Sequence, residues 1–164
     1  EKTELKKYRR QELLALRRVP TEIAIERNTW FHLGINSSEQ FIYCLRRILD
    51  PVKEHVDNNF NPLPAEYIEE FRPIRAQIND LMQQTESQIS TCRFENYRET
   101  LTLADQCKDE LSVIRKKHID RIQQSKDNSK LQVSLVYLNL LQESQQLLSN
   151  MRHQLRAAKK FIDN

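Results

Sequence analysis

The sequence LQVSLVYLNLLQESQQLLSNMRHQLRAAKKFI, residues 131–162, decides the fold. Leu141, Leu148, Leu155 and Ile162 recur in it at every seventh position, and residues at this spacing share one face of an α-helix. The face is widened by neighbouring apolar side chains, namely Tyr137, Leu140, Leu147, Met151, Ala158 and Phe161. Because it is broader than the seam of a two-stranded coiled coil, it predicts a helix within a bundle.

The composition favours long helices in the rest of the chain as well. The 164 residues include one glycine, 38% hydrophobic residues and 30% charged residues. Rossmann and P-loop enzymes need several glycines for their phosphate-binding turns, and tight β-hairpins need glycine for positive φ angles. Gly34 alone cannot meet these needs. The composition therefore excludes such enzymes and nearly excludes a β-barrel.

Four further helices are predicted from apolar residues that recur with a 3.6-residue period. They are residues 3–18, a stretch from Phe31 or Ser37 to Asn58, a stretch that begins at Pro64, and residues 94–124. Pro20 either ends the first helix or starts a joint, and residues 21–28 form either a further helical turn or a linker. Because the connections are short, neighbouring helices are expected to be antiparallel.

The predicted fold is therefore all-α, an antiparallel bundle of about four to five long helices. Two parts of the chain are distinguished. Residues 1–20 form a basic helical segment, and residues 21–164 form a single bundle domain.

The second predicted helix carries a near-heptad apolar seam, in which spacings of three and four alternate. Its members are Ile35, Ser38, Ile42, Leu45, Leu49, Val52 and Val56. Pro51 in this helix and Pro73 in the third each predict a kink, because proline lacks a backbone donor and clashes with the preceding turn. Pro73 could instead mark a late start of the third helix. Residues 58–64, NNFNPLP, predict the clearest loop in the chain.

Positive charge is concentrated at the N-terminus. Residues 1–18 hold seven Lys/Arg and three Glu, about +4, whereas the whole chain carries +3, which leaves about −1 for the remainder. Such a segment can lie against anionic lipid, bind nucleic acid or form a solvated helix face. Its basic residues are not interleaved with stacking aromatic residues, so no nucleic-acid partner is expected.

The cysteines indicate the cellular compartment of the protein, and the hydropathy pattern shows whether a membrane-spanning helix is predicted. Cys44, Cys92 and Cys107 are odd in number and widely spaced, without a CxxC pair. This pattern favours reduced thiols in a cytosolic compartment over a disulfide framework or a zinc site. No apolar run approaches the ~20 residues of a membrane-spanning helix, so none is predicted in this stretch of chain.

Few residues could carry chemistry, and we assign none of them a catalytic, cofactor-binding or metal-binding role. Asp105 and Asp109 could share a cation, although carboxylates four residues apart are also common on solvated helices. His55 and His118 lie on or beside apolar seams, where a histidine is more often a hydrogen-bonded core residue than a ligand or a base. No nucleophile has a base placed by a recognisable motif. The sequence therefore predicts a protein that is not an enzyme.

Glu143 is the most unusual polar residue of the last helix. It lies in the run LLQESQQLL, residues 140–148, between apolar pairs that face the core. A carboxylate beside a core stripe marks either a functional polar site or an edge charge whose stem is packed and whose head is in water. Both interpretations remain open at this point.

Three stretches resemble a known family. The sequence HVDNNFNPLP, residues 55–64, followed by Glu66-Tyr67-Ile68, resembles part of the soluble C-terminal domain of some bacterial inorganic phosphate transporters of the Pit type. YLNLLQES, residues 137–144, and LRAAKKF, residues 155–161, are similar to the closing helix of those domains. The domains are themselves similar to PhoU, a helical-bundle regulator of phosphate uptake that binds metals through Glu/Asp-x3-Asp motifs.

The chain departs from the metal-binding pattern of PhoU. Glu143 is followed four residues later by Leu147, and Glu39 by Tyr43. Because the acidic pairs are broken, the metal clusters are not carried over, and the resemblance implies neither metal nor cofactor for this chain.

The resemblance implies a PhoU-like regulatory domain on the cytoplasmic face of the bacterial inner membrane, tethered to a transmembrane permease in the same polypeptide. Residues 1–18 would then be juxtamembrane and could contact the anionic membrane surface. The domain would act by helix-bundle docking against the permease or another subunit, which includes a homo-oligomer. The alternatives are a free-standing helical adapter or scaffold and a metal-binding PhoU-type regulator.

Overall fold

The computed structural model describes residues 2–16, 20–59, 61–124 and 131–163. Within these ranges the chain forms five α-helices and no β-strand. The helices are α1 (Lys2–Leu16), α2 (Thr21–Asp57), α3 (Ala65–Thr91), α4 (Tyr97–Gln124) and α5 (Leu131–Asp163). The predicted all-α bundle of long helices is confirmed.

The central helix of the bundle is α5, which packs against α2, α3 and α4. Its apolar stripe supplies the core: Leu141 and Leu148 are fully buried and Leu155 is 1% exposed. The prediction was wrong for Ile162, which is 44% exposed because it lies in the last turn, where α5 has few neighbours. Burial of these leucines stabilises the bundle by about 2 kcal/mol for each side chain.

α2 runs antiparallel to α5 along most of its length. Near one end Arg47 forms an ion pair with Glu143, and near the other the ring of Phe31 packs on that of Phe161. Between them a Cβ added to Gly34 would lie 3.7 Å from the Cβ of Ala157. The two helices can therefore approach closely at this point.

α4 packs antiparallel to α5 on a different side. Asp105 forms an ion pair with Arg152, and His118 hydrogen-bonds to the backbone oxygen of Ser134. α3 in turn packs antiparallel to α4 and also touches α5. The three helices α3, α4 and α5 thus form a closed unit, to which α2 is attached through α5.

The second helix begins earlier than predicted. α2 starts at Thr21 instead of Phe31 or Ser37, so residues 21–28 are helical and not a linker. Pro20 precedes the helix with φ −51° and ψ 142°, and its carbonyl accepts a hydrogen bond from the Ala24 amide at 2.9 Å. The first turns of α2 are largely exposed, so they show little apolar periodicity from which the start could be predicted.

Pro51 and Pro73 both lie inside helices. α2 continues through Pro51 and α3 through Pro73, so a late start of the third helix was wrong. α3 begins at Ala65, with Pro64 as the residue before its first turn. α4 begins at Tyr97 and not at residue 94, because Cys92 ends α3 with a left-handed φ of 55° and residues 93–96 are not helical.

Two predicted connections are described only in part. In the loop of residues 58–64, Asn59 takes a φ of 53° and provides the turn, whereas Phe60 lies outside the described residues. The predicted polar connection at residues 125–130 also lies outside them. The division into a segment at residues 1–20 and a domain at 21–164 stays a prediction.

Candidate functional site

The most distinctive surface is an open groove between α2 and α3, which we call the α2–α3 groove. Although the two helices follow each other in the chain, no Cα atom in the described residues of α2 lies within 8 Å of one in α3. Packed helices are 8–10 Å apart, axis to axis, and have many Cα pairs at this distance. One seam of the bundle is therefore open, and α5 forms the floor beneath it.

The first part of the groove is a cavity of about 460 Å³. Its walls are Ser38, Phe41 and Ile42 of α2 and Met82, Thr85, Glu86, Ile89 and Ser90 of α3, and Met151 and Gln154 of α5 form its floor. The lining is mostly aliphatic, aromatic and thioether groups, with a few polar groups. Flexible methionine side chains of this kind adapt to the shape of a partner.

At the opposite end lie two depressions that share Leu63 and Leu140. One, of about 450 Å³, is also lined by Val52 and Val56 of α2. The other, of about 390 Å³, is lined by Phe71 of α3. An apolar surface therefore occurs at both ends of the space between α2 and α3.

The apolar seam predicted for the second helix faces this groove and not the centre of the core. The buried residues of α2 are Ser37, Cys44 and His55, which belong to the neighbouring row. Three members of the predicted seam, Leu49, Val52 and Val56, are 61%, 39% and 66% exposed. The apolar row exists on one face of the helix as predicted. Leu45 packs against the core and Ser38 accepts a hydrogen bond from Gln154 of α5 at 3.0 Å, whereas the end that holds the three exposed residues is not covered by the described part of the chain.

Glu143, which the sequence left open, is a buried ion-pair partner. Its Oε2 lies 2.7 Å from the Nε of Arg47, and the side chains are 8% and 48% exposed. Arg47 also donates to the sulfur of Cys44 at 3.3 Å, and Asn150 donates to it at 3.4 Å. Burial raises the pKa of the Cys44 thiol, which the Arg47 charge only partly offsets. The cluster joins α2 to α5.

A second polar cluster joins α3, α4 and α5 around Glu70. This carboxylate accepts hydrogen bonds from both Nη atoms of Arg121 at 3.1 and 3.2 Å, from Lys117 at 3.2 Å and from the Tyr137 hydroxyl at 3.2 Å. Burial opposes its ionisation, but the bonds from Arg121 and Lys117 prevail and lower the pKa of Glu70. Its hydrogen-bonding capacity is taken up within the chain.

The sequence did not single out Glu70, Lys117 or Arg121. Glu70 lies beside the apolar seam of the third helix, three residues after Tyr67, as many solvated charges do. Glu70 differs from a solvated charge because α3 and α4 pack in a register that brings it to Lys117 and Arg121. This register cannot be deduced from the apolar periodicity of either helix alone.

His118 lies in a buried aromatic cluster beneath Glu70. Its ring meets Tyr67 and Tyr137 edge-on at centroid distances of 4.8 and 4.9 Å, and the two tyrosines stack at 4.6 Å. Nε2 lies 2.9 Å from the Ser134 carbonyl, so it carries the hydrogen that is donated, and Nδ1 has no hydrogen-bond partner among the described residues. His118 is fully buried, which makes it a core residue without access to a substrate.

His55 is also buried and hydrogen-bonded. Its Nε2 lies 2.7 Å from the carbonyl oxygen of Asn61. The bond ties the end of α2 to the connection that leads into α3. As with His118, the prediction of a hydrogen-bonded core histidine is confirmed.

The two aspartates considered for a cation are not brought together as a site. Asp105 pairs with Arg152 at 2.6 Å, whereas Asp109 is exposed. Among the described residues no group of three or more His, Cys, Asp or Glu side chains could hold a metal ion. Cys107, near Asp105 in α4, is buried, and burial raises the pKa of its thiol to about 11.

Comparisons with known proteins do not identify a function for this chain. No protein-family model, curated protein sequence or solved structure matches the chain. In the described part of the chain, none of the helices combines the length and the apolar character needed to cross a bilayer. The α2–α3 groove is therefore the feature on which a functional argument can be built.

Proposed function

We propose that this chain is the cytoplasmic regulatory and interaction domain of a bacterial inorganic phosphate transporter, and that it acts by docking an α-helix and not by catalysis. The observation that carries the proposal is the α2–α3 groove. A long apolar groove with polar edges is a common acceptor for an amphipathic helix. The assignment to a phosphate transporter rests on the resemblance of three stretches to the Pit-type C-terminal domain, namely residues 55–64, 137–144 and 155–161.

The size of the groove supports a helical occupant. The residues that line it extend from Ser38 to Val56 on α2 and from Ile68 to Ser90 on α3, which is roughly 27 and 33 Å of helix at 1.5 Å per residue. Exposed apolar surface of this extent marks interaction sites in soluble proteins. A partner helix would remove it from water and complete the open seam of the bundle.

The polar clusters support a docking role over a chemical one. Glu143 and Glu70 are engaged by Arg47 and Arg121, and His118 is inaccessible. These groups hold the helices in register. They position the walls of the groove and leave its surface apolar.

Docking can be tested by cross-linking in the parent polypeptide, produced in its native membrane. A photoreactive amino acid at Ile42, inside the groove, is expected to form cross-links to a helix of the permease or of another subunit. Val113 on α4 is 68% exposed and lines none of the described cavities, so it provides the control position. Equal cross-linking from both positions, or none from Ile42, would contradict docking in the groove.

The link to phosphate can be tested by transport. Ile42→Glu places a charge in the groove, and it is expected to change phosphate uptake by the parent protein while Val113→Glu does not. The amounts of both variants in the membrane are compared by immunoblotting. Unchanged uptake with Ile42→Glu would refute the regulatory role, and a parent reading frame without membrane spans would favour the free-standing adapter.

The basic α1 provides a test of the membrane contact. Lys6, Lys7, Arg9 and Arg10 are all exposed, and each charge near an anionic surface is worth about 1 kcal/mol. Changing these four residues to Gln should weaken binding to phosphatidylglycerol vesicles by at least a hundredfold at low salt. The control changes four exposed cations of the bundle, Lys53, Arg75, Arg93 and Arg98. Binding that is insensitive to both salt and the α1 changes would contradict the juxtamembrane placement.

A further inference from the structure

The apolar row of α2 that borders the α2–α3 groove is flanked by charged residues. We call this row, Ile35 to Val56, the outer row; the inner row is shifted by one residue, faces α5 and includes the fully buried Cys44. On the other flank of the outer row, Glu39, Arg46 and Lys53 recur at every seventh position and therefore lie along one edge of the helix. This edge is acidic at Glu39 and basic at Arg46 and Lys53.

The opposite edge of the groove, on α3, shows the same change of sign. Glu86 lines the first cavity together with Ser38 and Ile42 of α2. Arg72 and Arg75 line the depression at the other end of the groove. All three charged residues of this edge are exposed. The edge on α3 is therefore acidic beside the first cavity and basic beside the depression.

The two edges match because α2 and α3 run in opposite directions. α2 is antiparallel to α5, and α3 is antiparallel to α4, which is itself antiparallel to α5. The acidic ends of both edges consequently coincide, and so do the basic ends. The acidic end of the groove consists of Glu39 and Glu86, and the basic end consists of Arg46, Lys53, Arg72 and Arg75.

These charges have few partners within the chain. Apart from Arg72, which pairs with the exposed Glu69 of the same helix at 2.7 Å, none of the six residues forms an ion pair with another described residue. An exposed pair of this kind contributes little. Asp50 of α2 lines a depression to which α3 does not contribute, and Glu54 is turned by a further 100° or so from Lys53. The basic end therefore keeps its sign toward the groove.

The change of sign distinguishes between classes of partner. An anionic membrane or a nucleic acid carries one sign of charge, and the acidic end of the groove would repel it. An amphipathic helix can carry both signs beside an apolar face. Such a face is needed here, because Leu49, Val56 and Ile68 are 61%, 66% and 45% exposed. Complementary charges at the edge of an interface select the partner and fix its register.

We propose that the occupant of the α2–α3 groove is an amphipathic helix with acidic residues at one end of its apolar face and basic residues at the other. The acidic residues lie over the basic end of the groove, and the basic residues lie over the acidic end. The two ends are roughly 17 to 21 Å apart, from Arg75 to Glu86 on α3 and from Glu39 to Lys53 on α2. The two sets of charges are therefore separated by roughly three to four turns of the partner helix. The inference rests on the proposed function, because it specifies the helix that docks in the same groove.

Three synthetic helical peptides test this charge pattern on the full chain of 164 residues. They share one leucine row, which is flanked by glutamate in one half and lysine in the other, by glutamate throughout, or by lysine throughout. In fluorescence anisotropy at low salt, the two-sign peptide should bind at least tenfold more tightly than either single-sign peptide, because each of these places like charges over one end of the groove. Equal affinities, including no binding by any of the three, would overturn the proposal.

Charge reversal on the chain should change the order of the three peptides. Glu39→Arg with Glu86→Arg makes both ends of the groove basic, so the glutamate peptide should become the tightest ligand and the two-sign peptide should lose roughly tenfold in affinity. Lys53→Glu with Arg75→Glu removes the net charge of the basic end, so the two-sign and lysine peptides should bind alike. An order that neither double variant changes would overturn the proposal.

A matched control separates the groove from the general charge of the chain. Arg98→Glu with Glu99→Arg exchanges two exposed charges on α4 and should preserve the order of the peptides found for the wild-type chain. The variant with four glutamines in α1 identifies any binding of the glutamate peptide to that helix. Circular dichroism and thermal unfolding establish that each variant is folded.

Failure of this inference can be told apart from failure of the proposed function. If the photoreactive group at Ile42 captures a helix in the parent polypeptide and Arg75→Glu and Glu86→Arg leave the capture unchanged, docking in the groove stands and the two-sign partner is refuted. If Ile42 captures nothing, both are refuted. Capture of a lipid or of a second copy of the chain overturns the proposed partner. Capture of a helix with separated acidic and basic residues, identified by mass spectrometry and lost in Arg75→Glu, supports both.

Discussion

The two sides of α3 differ in how closely the neighbouring helix packs against them. Toward α4 the helix is closely packed, with Gln88 donating to the Thr100 hydroxyl at 2.9 Å and Glu70 paired to Arg121. Toward α2 the same helix lines an apolar groove, and the described backbones of the two helices stay more than 8 Å apart, measured between Cα atoms. The side of α3 that faces α4 is covered by residues of the same chain. The side that faces α2 is not covered by the described residues.

The difference lies in the chemistry of the two seams. The closed seam combines buried aliphatic residues with polar pairs that are fixed by register, and each pair needs one specific partner. The open seam has an apolar row on α2 whose polar neighbours, Glu39 and Arg46, match no residue on α3 by an ion pair within the described residues. A closed seam stabilises the domain, whereas an open one is available for association.

The largest expected effect comes from removing a core side chain on the closed side. Leu148→Ala should lower the free energy of unfolding by about 4 kcal/mol, because Leu148 is fully buried on α5 and its loss leaves a cavity. Leu49→Ala is the same chemical change in the open seam, where the side chain is 61% exposed, and should cost less than about 0.5 kcal/mol. Urea unfolding at low protein concentration measures both, and equal losses would contradict the comparison.

The next effect tests the attachment of α2 to the closed unit. Arg47→Met should destabilise the fold by about 2 kcal/mol, because it leaves the buried carboxylate of Glu143 without its partner. Arg46→Met, one residue earlier, removes an exposed cation without an ion pair among the described residues. It should change the stability of the monomer by less than about 0.5 kcal/mol. Chemical unfolding of both variants provides the measurement, and a smaller loss for Arg47→Met than for Arg46→Met would disprove the role of the pair.

The closed seam should also give a defined pH dependence. Because the folded-state pKa of Glu70 is lowered, its contribution is complete above the unfolded pKa of about 4.3 and is lost as the pH falls through the folded value. Glu70→Gln should cost about 1 kcal/mol at neutral pH and flatten the fall in stability below about pH 5. Thermal unfolding across this range tests the sign, and an unchanged slope in Glu70→Gln would show that another group is responsible.

The smallest effect separates the two cations on Glu70. Arg121 is 31% exposed and bonds through two nitrogens, whereas Lys117 is 60% exposed and bonds through one. Arg121→Met should therefore cost about 1 kcal/mol, and Lys117→Met less than about 0.5 kcal/mol because water screens its charge. Unfolding in low and high salt measures the difference. The reverse order of the two losses would refute this account.

Much of the helical structure could be predicted from the chain alone. The buried positions Leu141, Leu148 and Leu155 follow from a seven-residue apolar repeat, and the start of α5 at Leu131 follows from the polar run at residues 125–130 that precedes it. The start of α2 did not follow, because its first turns are exposed and lack such a repeat. Apolar residues recur with the helical period only where one face of a helix is buried. A helical segment that is exposed on all sides therefore cannot be predicted from this pattern.

The candidate site could be predicted only in its parts. The apolar row from Ile35 to Val56 was visible in the sequence, but the row that packs on α5 is the one shifted by a single residue. Both rows have the same spacing, and the close approach at Gly34 and Ala157 favours the inner one. The polar partners Glu70 and Arg121 are 51 positions apart, and no local pattern joins them.

By itself the sequence determined that this protein is a set of long amphipathic helices, since helix formation and the choice of an apolar face depend on residues within a few turns of one another. Only the tertiary structure decided which apolar row each helix buries, which charges find partners and which seam stays open. These depend on how close two helices can approach and in what register, properties that belong to pairs of helices. The exposed end of the apolar row of α2, at Leu49, Val52 and Val56, is the clearest product of that decision.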